Sequence, residues 1–220
     1  MEPLIPIDPR PLAIVFDLDG TLADTFPMII AAWNAAVREP MGREYSPEEV
    51  IALFGVPEEP MLRRVLPDSE VDHALEVYHE HYEAEHGIVE PFEGIPELLQ
   101  AIADAGIPMG VVTGKGRRSA DITLRLLGWD DYFTSVMTGD DVERQKPHPE
   151  GALAVAQDLG VEARRCVFIG DTPSDIECGR TAAMTTIAAG WHTVYRDRLR
   201  EAEADYWADS PQDLKTLLGL

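Results

Sequence analysis

The chain has 220 residues and sets 40 Asp and Glu against 18 Lys and Arg, a formal net charge of −22, with a hydrophobic share of 45%. That length buries a sizeable core, and the acidity disfavours nucleic acids and anionic membrane surfaces as partners. No apolar run reaches the roughly 20 residues a membrane span needs, Met1-Glu2-Pro3-Leu4 reads as no secretory signal, and Cys166 and Cys178 read as buried free thiols, so a cytoplasmic location is expected.

The first element is the apolar run Ala13-Ile14-Val15-Phe16. Its lack of polar alternation suits a parallel strand covered on both faces, and open parallel sheets bind ligands outside the carboxyl ends of their strands. Asp17-Leu18-Asp19-Gly20-Thr21-Leu22 follows at that end. Residues two apart in extended chain point the same way, so Asp17 and Asp19 aim at one site while Leu18 turns back into the protein. Gly20 permits the sharp exit.

A long helical stretch comes next. Ile30, Trp33 and Val37 share a helical face, and Ser46-Pro47-Glu48-Glu49 reads as a capping box with Pro at the first helical position, the helix ending by Gly55. Pro57-Glu58-Glu59 opens another helix, and Asp68 caps a further one whose Val71, Leu75, Tyr78 and Tyr82 share a face until Gly87. Four helices without a strand predict a small bundle over residues 23–88, inserted between core segments 1–22 and 89–220. The crossings Ala23-Asp24-Thr25 and His86-Gly87-Ile88 have the short, small-residue character of a hinge. His73, His79, His81 and His86 keep no recurrent spacing and read as surface histidines without metal.

From Pro91 the pattern alternates: helices ending at Gly106, Gly128 and Gly160, and strands at Ile107 to Val112, near Ser135-Val136-Met137, and at Cys166 to Ile169. Thr185-Thr186-Ile187-Ala188 reads as a further strand and the tail from Ser210-Pro211 as a closing helix. This order predicts an α/β protein with a doubly wound parallel sheet. Trp191-His192, past the last strand, either lines the site or packs.

Three strand ends and one loop carry chemistry-bearing residues: Asp17 and Asp19, Thr113-Gly114-Lys115, Lys146-Pro147, and Gly170-Asp171-Thr172-Pro173-Ser174-Asp175. The chain has only three lysines, and two of them, Lys115 and Lys146, fall in these segments. In this order the segments resemble the motifs of the haloacid dehalogenase-like superfamily of phosphohydrolases; Gln145 stands where that family usually has Gly. The resemblance implies a Rossmann-like core with a helical cap and a Mg²⁺-dependent phosphatase working through an aspartyl-phosphate. Asp17 would be the nucleophile, Asp19 the acid and base, Thr113 a hydrogen-bond donor to the phosphoryl group and Lys146 the fixed positive charge. Asp17, Asp171 and the main-chain carbonyl of Asp19 would hold the metal, with Asp175 adjacent. Amides near Leu18 and Gly114, together with Lys115, would bind the phosphoryl group, and the loop with Gly55 and Glu58 would face the leaving group, the acidic Glu58 and Glu59 repelling a second phosphate.

The acid at Asp19 favours a phosphatase or phosphomutase over a dehalogenase, whose leaving groups need no proton. The expected substrate is a small phosphorylated metabolite, with phosphoglycolate as one candidate. A phosphomutase of the β-phosphoglucomutase type and an inorganic pyrophosphatase are the alternatives, and the chain is either a monomer or a homodimer. An anionic substrate must cross a repulsive field, for which Lys115, Arg117, Arg118 and Lys146 offer a local counter-charge.

Overall fold

A computed structural model describes residues 4–220. The first strand, β1 (Ala13–Phe16), is wholly buried and runs in parallel with strands on both sides. Its alternate side chains feed two cores. Ile14 and Phe16 join the larger one, beneath the helical layer, and Ala13 and Val15 join a second one on the opposite face. Period-two alternation between two covered faces is why this strand contains no polar residue.

After β1 come β2 (Ala23–Asp24), α1 (Phe26–Met41), α2 (Pro47–Ile51), α3 (Glu58–Arg63), α4 (Asp68–Ala84) and β3 (Glu90–Pro91). The two-residue strands β2 and β3 pair antiparallel, so the chain leaves and re-enters the α/β part through a ribbon. The turn expected to act as the second crossing, His86–Ile88, is instead a single 3₁₀ turn with His86 buried. The capping box at Ser46 forms as the sequence predicts, Ser46 and Glu49 each satisfying the other's backbone N–H. Helices α1 and α4 pack along their length, burying Trp33, Val37, Val71, Tyr78 and Tyr82.

The remaining elements are α5 (Ile95–Asp104), β4 (Met109–Val112), α6 (Arg117–Leu126), β5 (Phe133–Met137), α7 (Glu150–Asp158), β6 (Cys166–Gly170), α8 (Pro173–Thr181), β7 (Thr185–Ala189), α9 (Arg196–Arg200), β8 (Tyr206–Ala208) and α10 (Pro211–Leu217). The six long-range strands form one parallel sheet in the order β5-β4-β1-β6-β7-β8. The chain first builds outward from β1 through β4 to β5, then returns to the other side of β1 with β6. That reversal places a crevice at the carboxyl end of β1, where doubly wound sheets carry their ligands. Helix α9 and strand β8 carry no clear periodicity in the sequence and were not expected from it. Cys166 and Cys178 are buried free thiols, as read.

Candidate active site

Asp17 follows β1 directly, its N–H donating to the Ile169 carbonyl at 2.9 Å, which fixes its carboxylate at the switch point. Asp171 follows β6, Thr113 follows β4, and Asp175 lies in the first turn of α8. Asp17, Asp171 and Asp175 each present a carboxylate oxygen within 4.8 Å of the others, and all three are buried. Burial, then the neighbouring charge of Asp175, holds the Asp17 carboxyl well above the usual carboxylate range, against the opposing pull of Lys146. Burial likewise raises Asp171, which hydrogen bonds from His192 and Thr21 partly offset.

Lys146 Nζ lies 2.7 Å from Asp17 Oδ1 and 2.6 Å from Asp175 Oδ1, and donates to the Val112 carbonyl at 3.2 Å. Burial works against its ammonium, but the two carboxylates outweigh it and hold Lys146 above the ordinary lysine value. Asp175 is engaged at both ends: its Oδ2 accepts from the Thr172 N–H at 3.0 Å and hydroxyl at 2.6 Å, closing the capping box of α8. Asp175 thus anchors the lysine.

Asp19 shares the cavity with Asp17 but not its partners. Its Oδ1 accepts from the Thr25 hydroxyl at 2.5 Å and lies 3.1 Å from Lys115 Nζ. The Asp19 side chain is therefore outside the three-carboxylate cluster, which leaves only its main-chain carbonyl for the expected metal role. Lys115 is a buried residue with a 2% exposed side chain, its ammonium over the Tyr82 ring at 4.8 Å. Burial opposes its charge, and Asp19 more than restores it. Lys115 is accordingly tied to the acid, not held free for the phosphoryl group.

Gly20 is required by close approach. Its φ is +84°, and a Cβ there would overlap the Asp171 carboxylate and His192 Nδ1. The side chain of Leu18 is fully buried, while Gly114 faces the backbone of Gly55 across the site at 3.6 Å from where its Cβ would stand. Thr113 is buried, its Oγ1 accepting from the Lys115 N–H at 3.2 Å. His192 does more than pack: Nδ1 sits 3.1 Å from Asp171 Oδ2, and its ring meets Phe26 edge-on at 4.5 Å. Trp191 donates to the Thr21 carbonyl at 3.0 Å.

Other expectations change. Glu58 is buried and its Oε2 accepts from the Gly116 N–H at 3.0 Å, at the start of α6, while Glu59 points outward to Arg63. Arg118 pairs with Glu76 of α4 and Arg117 with Asp121 and Asp141, so neither lines the cavity. His79 and His86 are buried, not at the surface, their rings lying against the buried Tyr78 and Tyr82. Tyr82, three residues after His79 and four before His86, was the signal for this. The hydroxyl of Thr25 and the aromatic wall of Phe26 and Tyr195 had no motif to announce them.

Asp17, Asp19, Thr113, Lys115, Lys146 and Glu58 are among the residues that line a cavity of about 910 Å³ between the helical layer and the sheet. The model of the haloacid dehalogenase-like hydrolases matches residues 14–189. The chain belongs to that family. It is 31% identical over 211 residues to the pyrophosphatase PpaX of Anoxybacillus flavithermus, spanning 94% of this chain and 96% of that protein, and 31% identical to the PpaX of Halalkalibacterium halodurans. These relatives place it on the phosphatase branch of the family. Among solved structures, a predicted phosphoglycolate phosphatase from Haemophilus somnus 129pt superposes with a TM-score of 0.83 at 21% identity, over 92% of this chain and 96% of that one. The CbbY protein of Rhodobacter sphaeroides, solved with phosphate, gives 0.83 at 24% identity over 96% and 99%. At those identities the likeness is one of fold.

Proposed function

We propose that the chain is a Mg²⁺-dependent phosphatase that hydrolyses a phosphate monoester through an aspartyl-phosphate on Asp17. The observation that carries this reading is the pairing of two separate carboxylate centres in one cavity: Asp17 against Lys146, and Asp19 against Lys115 and Thr25. A carboxylate nucleophile divides a very slow hydrolysis into two easier steps.

Three buried carboxylates with one ammonium, Lys146, held by two of them leave excess negative charge, and oxygen donors of that kind suit a hard divalent cation. Asp17, Asp171 and the Asp19 carbonyl would hold Mg²⁺, with Asp175 at their side anchoring Lys146. When bound, the ion supplies charge neutralisation for the transferring phosphoryl group. Asp17 attacks phosphorus as the bond to the leaving oxygen breaks, and Asp19 gives that oxygen its proton. Water then attacks the aspartyl-phosphate, Asp19 takes the water's proton, and phosphate leaves with Asp17 restored. Lys146 and Thr113 face the phosphoryl oxygens. Residues 23–88 act as a cap that shields this intermediate from bulk water.

Purified protein with Mg²⁺ should release phosphate from p-nitrophenyl phosphate and from alkyl phosphates. Asp17→Asn should lower kcat by at least 1000-fold while circular dichroism stays native. A variant that keeps a tenth of the wild-type rate would remove Asp17 from its role.

A further inference from the structure

The charges that line the cavity are already committed. Among the described residues its cations are Lys115, Lys146 and Arg198, against the carboxylates of Asp17, Asp19, Glu48, Glu58 and Asp197. Lys115 is bound to Asp19, and Lys146 is held between Asp17 and Asp175. Arg198 is exposed at the mouth beside the equally exposed Asp197. With a divalent ion bound, that ion and Lys146 carry three positive charges against the three carboxylates of Asp17, Asp171 and Asp175, so the floor of the cavity has no surplus cation for a second anion. Of the lining cations among the described residues this leaves Arg198 for a second anion, in a cavity that Glu48 and Asp197 also line and a chain whose field already repels it.

The walls tell the same story. Phe26, Ile51, Phe54, Met61, Val194 and Tyr195 surround the space beyond the carboxylates. Phe26 meets Phe54 edge-on with ring centres 5.2 Å apart and Tyr195 at 6.2 Å, forming one aromatic wall from three parts of the chain. Val194, 42% exposed, adds a further apolar side chain to the lining. A cavity near 910 Å³ lies in the upper range of pockets that enclose drug-sized ligands, far more than a two-carbon leaving group fills.

Building on the phosphatase reading above, we propose that the ester this site selects has an uncharged leaving alcohol with an apolar or aromatic body, and that a second carboxylate or phosphate on the substrate is selected against. The apolar body is desolvated against Phe26, Phe54 and Tyr195, which adds binding energy remote from the reacting bond. A second anion would instead shed its water beside Glu48 and Asp197.

The test compares three esters with the same alkyl leaving oxygen and one phosphoanhydride. Hexyl phosphate, 6-phosphooxyhexanoate, ethyl phosphate and pyrophosphate are assayed with the Mg²⁺-loaded wild-type enzyme. Hexyl phosphate should exceed the carboxylate ester in kcat/KM by at least tenfold, and should also exceed ethyl phosphate and pyrophosphate. Ile51→Lys, which adds a cation to the apolar wall, should narrow the tenfold ratio by gaining on the carboxylate ester. Equal or better turnover of the carboxylate ester or of pyrophosphate overturns the proposal and leaves the phosphatase reading standing. If Arg198→Ala then abolished that preference, the mouth arginine would be the anion receptor. Absence of turnover on every ester would remove the phosphatase reading itself.

Discussion

His79 shows how a single buried side chain ties stability to pH. It lies on α4 among Tyr78, Glu76 and Arg118, with Nδ1 buried and unpartnered. Burial, reinforced by the positive charge of Arg118, lowers its pKa to about 4. The unfolded chain therefore takes up a proton below about pH 6.5 that the folded chain refuses, and stability present above that pH is lost as pH falls toward 4. His79→Phe keeps a ring of similar size and has no proton to take up. Relative to its margin at pH 7.5, the variant should gain about 1 kcal/mol over wild type at pH 5, measured by urea unfolding. A constant difference across that range would show that His79 titrates alike in both states. By contrast, the pairs Asp17–Lys146 and Asp19–Lys115 couple each proposed catalytic carboxylate to a different lysine, Lys146 partly buried and Lys115 buried.

Between elements, the decisive contact is that of the helical layer with α6. Glu58 accepts from the N–H of Gly116, the residue just before α6, and Tyr82 shares a 2.9 Å hydrogen bond with Thr123. Glu76–Arg118 at 2.7 Å and Glu83–Arg125 at 2.6 Å join α4 to α6 at the surface, where such pairs add little. The buried Glu58 carboxylate counts for more, since it satisfies an unpaired donor and complements the positive end of α6. Glu58→Ala should cost about 1 to 2 kcal/mol of stability, and Glu58→Gln, which keeps an acceptor but not the charge, about half of that. Thermal unfolding of both variants measures this, and an Ala variant as stable as wild type would show that the contact holds nothing together. The sequence marks Glu58 as acidic and near a helix start but gives α3 as that helix. Its true partner lies 58 residues away, a pairing that only the packed chain brings about.

At the scale of the whole molecule, the parallel sheet was legible because β1, β4 and β6 are short, fully buried and free of polar alternation, each followed by a residue of the site. The carboxylates of the cluster were legible for the same reason, since strand ends at a switch point converge. The environment of Lys115 was not: adjacency to Thr113 suggests a phosphate ligand, whereas its ammonium reaches Asp19 and the Tyr82 ring. Nor was the fate of Arg117 and Arg118, expected as a local counter-charge to the net charge of −22, which instead pair with acids outside the site. What remains for the site is one ammonium at Asp17 and one at Asp19, the arrangement on which the proposed roles of nucleophile and acid rest. The most direct test is a rapid-quench reaction of the Mg²⁺-loaded enzyme with a phosphate ester, followed by borohydride reduction and peptide mass spectrometry. The account predicts that Asp17 alone is reduced, as expected of an aspartyl-phosphate; a reduced or phosphorylated residue elsewhere, or steady turnover with no trapped residue, would contradict it.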